Sequence, residues 1–296
     1  MNSGITPFPG GSTLAAADGL GLHGQAWPLS LQEKPRGSIL VVHGLGEHIG
    51  RHTPLAEQFN AWGWRVAGFD LRGHGHSDGP RGGLAHADDL LNDLSRVIDA
   101  TRLAWPGPLV LLGHSLGGLV AARLVAEGLQ AAPAAWHREV DALVLSSPAL
   151  DPGMNAAQKL LLAVLGSLAP GLAVSNGLNP DWISRDPAVV AAYVADPLVH
   201  DRITPRLARF VVDAGALVRA LAPRWKLPTL LLHAGSDRCV APAGSQAFAA
   251  AAPQGVVRAQ AFAPLFHEIF NEPEKASVFQ ALGAWLAEQG QSPATP

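Results

Sequence analysis

Apolar runs of four to seven residues recur along the chain at 37–42, 64–70, 109–112, 142–146, 229–233 and 257–262. They are rich in aliphatic and β-branched residues and mostly lack polar alternation, which predicts strands covered on both faces. Between them lie longer stretches with apolar positions at helical spacing, near 54–62, 84–103, 116–127, 243–251 and 275–288. Such an alternation predicts a mostly parallel sheet with helices on both sides. At the front, 12–17 and 20–28 flank the turn-forming pair Asp18-Gly19 and predict an antiparallel hairpin, bringing the expected strand count to eight.

From 151 to 224 the alternation stops, and helical patterns are punctuated by Pro152, Gly153, Pro170, Gly171, Gly177, Pro180, Pro187, Pro197 and Pro205, with no strand-like run. A helical and loop segment of this length between two parallel strands predicts an insertion over the carboxyl ends of the sheet. The expected division is therefore a core of 1–150 and 225–296 with a helical cap of 151–224. Leu161, Leu165, Leu168 and Leu172 recur at three- and four-residue spacing. That stripe is more often the packing face of a helix than a substrate wall, although one cap helix can serve both purposes. The apolar stretch 160–174 is broken by Gly166, Ser167 and Pro170 and is shorter than the ~18 residues of a membrane span. Contact of the cap with a lipid surface stays open. The end, 289–296, reads as a frayed polar tail.

Charge narrows the partners. With 21 Lys+Arg against 24 Asp+Glu, a net charge of -3 and no basic block, nucleic acid is not an expected partner. Cys239 is the single cysteine, so neither an intrachain disulfide nor a cysteine-rich metal site can form. The first ten residues have neither the positive region nor the apolar region of a secretory signal, so a cytoplasmic product is expected.

The chemistry concentrates where the run 109–112 ends, in Gly113-His114-Ser115-Leu116-Gly117. A buried strand passing through Gly-x-Ser-x-Gly into a helix forces the serine onto a tight, strained turn from which its hydroxyl projects. The same turn places Ser115 at a helix N-terminus, where free amides and the helix dipole favour developing negative charge. A serine nucleophile needs a base, and the base an orienting acid. Asp237 follows the strand at 229–233 and His267 follows the strand at 257–262, the order expected for such a triad. Asp151, after the preceding strand, is the rival acid. The oxyanion donors are expected at the backbone N–H of Leu116 and of Leu45, in the loop after the first long strand. His43, His48 and His52 with Glu47 invite a metal reading. No His-Glu-x-x-His helix is present, and the three histidines fall on a strand end, a loop and a helix start, so no metal is expected. The segment 70–79 reads as a structural turn held by Asp, His and Arg hydrogen bonds.

These residues resemble the monoacylglycerol lipase and lysophospholipase group of the α/β-hydrolase superfamily. The resemblance rests on 43–51, 70–82, 113–118, 235–238 and 267–273, with similar short pieces at 176–178, 184–186 and 196–199. It implies the α/β-hydrolase fold with a helical cap shaping an acyl tunnel and no cofactor. It further implies Ser115, Asp237 and His267 as nucleophile, acid and base, and monoacyl lipid esters as substrates. Gly44, His114, Leu161 and Ile183 are the expected substrate contacts. Ile49 and His52 stand where relatives often carry Ser and Tyr, and Leu116 where Met is frequent, which bears on head-group recognition rather than on the backbone donors. A general carboxylesterase, thioesterase, acyltransferase or peptidase would share this machinery. A dehalogenase or epoxide hydrolase would carry Asp at position 115, and a non-catalytic scaffold would lack a triad member.

Overall fold

The computed structural model describes residues 12–27, 29 and 34–289. The elements run β1 (Thr13–Ala15), β2 (Gly21–Trp27), β3 (Ser38–Val42), α1 (Thr53–Ala61), β4 (Arg65–Phe69), α2 (Asp89–Ala104), β5 (Leu109–His114), α3 (Ser115–Glu127) and β6 (Ala142–Ser146). They continue with α4 (Ala156–Leu168), β7 (Val174–Ser175), α5 (Pro187–Ala195), β8 (Arg202–Ile203), α6 (Pro205–Leu221), β9 (Thr229–Ala234), α7 (Pro242–Ala251), β10 (Val257–Phe262) and α8 (Lys275–Gln289). Eight strands form one sheet in the order β1-β2-β4-β3-β5-β6-β9-β10. The hairpin β1–β2 and the β2–β4 pair are antiparallel, and every other pairing is parallel. Gln289, the first residue of the expected tail, ends α8; the rest of that tail and the residues before 12 lie outside the described residues.

Alternation along each strand builds two cores, one per face. Leu40, Val42 and Leu111 pack with Leu119, Val218 and Trp225 on one side, while Ile39, Val41 and Val110 pack with Phe59, Leu282 and Trp285 on the other. All five residues of β3 are buried, as are those of β5, β6 and β9. Each fully buried aliphatic side chain contributes roughly 1.5–3 kcal/mol, so the central strands anchor everything attached to their ends. β10 departs from the expected double coverage. As an edge strand it is flanked by β9 alone and exposes residues 258–261, burying Phe262.

Two further differences from the sequence expectation have local causes. α2 begins at Asp89 rather than near 84, because the Asp89 carboxylate accepts the amides of Ala85 and His86 at 2.8 Å each and holds that stretch in a turn. β7 and β8 pair antiparallel through Val174–Ile203 and Ser175–Arg202, two residues apiece and too short to leave a periodic signal.

α6 lies within the expected cap range, yet Leu207, Phe210, Ala214, Val218 and Leu221 are buried in the core at helical spacing. It packs on α3 and supplies the crossover between the parallel strands β6 and β9. The segment that lies apart from the sheet layers is thus the part before Thr204, which caps α6 by accepting the amide of Leu207 at 3.3 Å. Within it, Leu160, Leu161, Val164, Leu168 and Leu172 are exposed, and only Leu162 of this series is buried. No helix among the described residues is long and apolar enough to cross a membrane.

Candidate active site

Parallel register aligns the carboxyl ends of β3, β5, β9 and β10, with Val42 opposite Gly113 and Ala234 opposite Phe262. The loops that leave these ends therefore meet at one rim. Ser115 turns sharply out of β5 with φ 53, a left-handed value that costs a non-glycine residue on the order of 1–3 kcal/mol. Gly117 makes the turn possible. A Cβ there would fall onto the carbonyl oxygens of Val42 and His43, so the elbow can seat against β3 only without a side chain.

The structure brings Ser115, His267 and Asp237 into one hydrogen-bonded line. His267 Nε2 lies 2.8 Å from Ser115 Oγ, and its Nδ1 lies 2.7 Å from Asp237 Oδ2. Asp237 Oδ1 accepts the amides of Cys239 at 2.8 Å and Val240 at 3.1 Å, which fixes the carboxylate as an acceptor. A proton on Nδ1 then leaves Nε2 free to accept from the serine hydroxyl. Burial pushes the His267 pKa down, but the charge and hydrogen bond of Asp237, with Glu268 and Glu47 behind, bring it above its ordinary value. The Asp237 carboxyl, raised by burial, is held below its ordinary value by His267 and the two amides. Asp151, the rival acid, accepts the amide of Gly153 at 2.9 Å within its own turn, whereas Asp237 is the carboxylate bonded to His267.

Ser115 sits where two cavities meet, of about 330 Å³ and about 580 Å³. The larger is mainly apolar, with Leu116, Met154, Trp182, Ile203 and Val211 in its wall. The smaller also presents mainly apolar surface, but its wall includes the polar side chains of Glu47, His114, Tyr193, Asp196 and His200. Leu45 borders both. Its amide donates to no acceptor among the described residues, and Leu116 stands in the first turn of α3, where no preceding helical carbonyl is available. Gly46 lets this loop approach the segment that ends at β8. It has φ 80, its carbonyl accepts the amide of His200 at 2.9 Å, and a Cβ would strike the His200 carbonyl.

Of the expected substrate contacts, Gly44, His114 and Ile183 line the smaller cavity. Leu161 does not belong with them: it is 58% exposed and lines neither cavity, because α4 turns Leu162 inward instead. Ile183 also acts through its backbone, its carbonyl accepting the amide of Glu268 at 2.8 Å. His114 stays neutral around pH 7, its pKa lowered to about 3 by burial and by the neighbouring His267. The three histidines of the metal reading are engaged separately. His43 Nε2 accepts the amide of Leu71, His48 bonds Asp196 and His52 bonds Glu47. Asp70, in the segment read as a turn, accepts the amides of Ile49 and His76.

A charged network behind the triad escaped the sequence reading. Arg51 bonds Glu268 at 2.6 and 2.9 Å and Glu47 at 2.9 Å, and Glu47 in turn accepts the amide of Gly44 at 2.6 Å. One guanidinium thus ties the residue after His267 to the loop that carries Leu45. The ring of Tyr193, from α5, covers it at 4.7 Å. Arg185, just before α5, bonds Glu272 at 2.6 Å, and Glu272 also accepts the amide of Phe266. Glu268 directly after His267 and Glu47 directly before His48 were the available signals. Arg51→Met is expected to leave Glu47 and Glu268 without their shared cation and to lower stability by on the order of 3–5 kcal/mol, measurable by urea denaturation. An unchanged midpoint would contradict this account.

Comparison with known proteins places this geometry among relatives. The family described as serine aminopeptidase, S33, matches residues 33–274. A monoacylglycerol lipase of Mycolicibacterium smegmatis is 36% identical over 256 residues, covering 85% of this chain and 88% of that protein. The phospholipase YtpA of Bacillus subtilis is 31% identical, covering 86% of this chain and 96% of its own length. The crystal structure of a Paleococcus ferrophilus monoacylglycerol lipase superposes with a TM-score of 0.78 at 34% identity, covering 90% of this chain and 99% of that one.

Proposed function

The chain belongs to the serine aminopeptidase S33 family and has the α/β-hydrolase fold, and we propose that it cleaves monoacyl lipid esters through an acyl-enzyme on Ser115. The carrying observation is the continuous line from Ser115 Oγ through His267 to Asp237, at 2.8 and 2.7 Å, set where two cavities meet, the smaller with several ionisable side chains in its wall. Two cavities meeting at the nucleophile suit a carboxylic ester hydrolase, one to hold the acyl chain and one to hold the alcohol. Relatives named as monoacylglycerol lipases and a phospholipase support the substrate class, of monoacylglycerol or lysophospholipid type.

In the proposed cycle the acyl chain lies in the larger cavity and the ester carbonyl faces the amides of Leu45 and Leu116. His267 takes the Ser115 proton as the hydroxyl oxygen attacks, and the imidazolium is stabilised by Asp237. The two amides receive the oxyanion. His267 then protonates the leaving alcohol, which departs through the smaller cavity. Water enters, His267 takes its proton, and collapse of the second tetrahedral intermediate returns the fatty acid and Ser115.

The segment before Thr204 serves as the cap in this reading. Its exposed Leu160, Leu168 and Leu172 make it the face through which a cytoplasmic enzyme meets a membrane transiently. The function is tested by following release of fatty acid from 1-monoacylglycerols of C8 to C18 chain length. Turnover that rises with chain length to a maximum is expected; no release from any of them overturns the proposal.

A further inference from the structure

His43, the residue after β3, is fully buried and lines neither cavity, yet both of its ring nitrogens are engaged. Nε2 lies 2.9 Å from the amide nitrogen of Leu71, and Nδ1 lies 2.8 Å from the carbonyl oxygen of Gly44. Burial lowers the His43 pKa against the pull of Asp70 and Glu47, so the ring is neutral near pH 7 and has one proton to place. An amide only donates and a carbonyl only accepts. Nε2 is therefore bare and Nδ1 carries the proton. The turn-forming segment after β4 thus reaches the site through a tautomer, because Leu71 sets which nitrogen of His43 can donate.

The carbonyl that accepts from Nδ1 belongs to a peptide unit of the loop beside Ser115. A trans peptide is planar and points its N–H opposite its C=O. Fixing the Gly44 carbonyl therefore fixes the direction of the Leu45 N–H at the other side of the same plane. The preceding plane is fixed as well, since the Gly44 amide donates to Glu47 Oε1 at 2.6 Å and Glu47 is held by Arg51. This close seating requires glycine at 44, where a Cβ would come within 2.9 Å of Glu47 Oε1 and 3.0 Å of Ser115 Cβ. The Leu45 amide itself has no acceptor among the described residues, and Leu45 borders both cavities that meet at Ser115. A hydrogen bond accepted at the carbonyl also polarises the peptide, which strengthens its N–H as a donor.

We propose that His43 is a positioning residue of the oxyanion hole, holding the peptide between Gly44 and Leu45 so that the Leu45 N–H faces the oxyanion formed on attack by Ser115. No proton leaves the ring in the cycle, because the Leu71 amide keeps Nε2 occupied. The inference rests on the ester-hydrolase reading and on Leu45 as an oxyanion donor.

Two substitutions divide the roles of the ring. In His43→Asn the side-chain NH₂ stands near the place of Nδ1 and the acceptor for Leu71 is lost, whereas in His43→Gln the longer side chain offers an oxygen near the place of Nε2 and the donor to Gly44 is lost. His43→Gln is expected to lower kcat on 1-oleoylglycerol by about 10²-fold with KM changed by less than about 3-fold, the signature of a lost oxyanion contribution. His43→Asn is expected to stay within about 5-fold of the wild type. A purely structural role makes no such distinction. The infrared carbonyl band of a slowly hydrolysed acyl-enzyme should rise in frequency in His43→Gln and stay in place in His43→Asn. Equal losses in the two variants, or a band that does not move in His43→Gln, overturn the positioning role and leave the ester hydrolase intact. Should either variant fail to fold, nitrogen-labelled histidine in the wild type carries the test. The His43 Nδ1–H proton resonance is expected to move downfield when an alkyl boronic acid forms its anionic adduct on Ser115; a proton found on Nε2, or no response, overturns the proposal. A wild type without turnover on 1-oleoylglycerol overturns the ester-hydrolase reading instead.

Discussion

Ser115→Ala is expected to lower kcat on a monoacylglycerol by at least about 10⁴-fold, since removal of a triad nucleophile leaves only the contribution of binding and of the oxyanion donors. Stability should move the other way or barely at all. Ser115 is held at φ 53, and the methyl of alanine occupies no space that the hydroxymethyl did not. The variant should therefore fold, retain lipid binding in the larger cavity and lose covalent labelling by a fluorophosphonate. Labelling and turnover that survive the substitution would remove Ser115 from the chemistry.

Asp237→Asn is expected to cost a comparable factor, about 10⁴ in kcat, by a different route. An asparagine can present its NH₂ to Nδ1 of His267, and the proton then moves to Nε2, which can no longer accept from Ser115. The pH profile separates this from a merely structural defect. In the wild type the His267 pKa lies above its ordinary value of about 6.5, with Asp237 as the largest influence raising it against burial. Activity needs the neutral base, so kcat/KM should fall as pH drops through that raised pKa. Loss of the Asp237 charge removes the influence that offset burial, so the acid limb of the residual activity should move to lower pH. A limb that stays in place would show that another group sets the titration.

Much of the fold and of the candidate site was legible in the sequence, and the reasons are local. The runs that became β3, β5, β6 and β9 are apolar throughout because both faces of those strands are covered. The run that became β10 was read with the others as covered on both faces, and its exposure went unseen because edge position is a property of sheet order. Gly113, Ser115 and Gly117 announced the elbow because the backbone tolerates little else there. Leu161 went wrong because helical spacing says which residues share a stripe and not which way the stripe turns. The α6 assignment failed for a related reason, as a crossover helix inside an insertion carries no mark distinguishing it from cap.

The amino-acid order by itself determined what depends on neighbours in the chain: the strand and helix alternation, the strained serine turn, and an acid and a histidine each following a strand. Tertiary structure decided what depends on distance in space. It joined Arg51 to Glu268, 217 residues away, brought Asp196 to His48 and set Ser115 where two cavities meet. The physical reason is that charge pairing and cavity shape are set by side chains meeting across loops, and an ion pair at such separation leaves no periodicity or spacing along the chain from which it could be read.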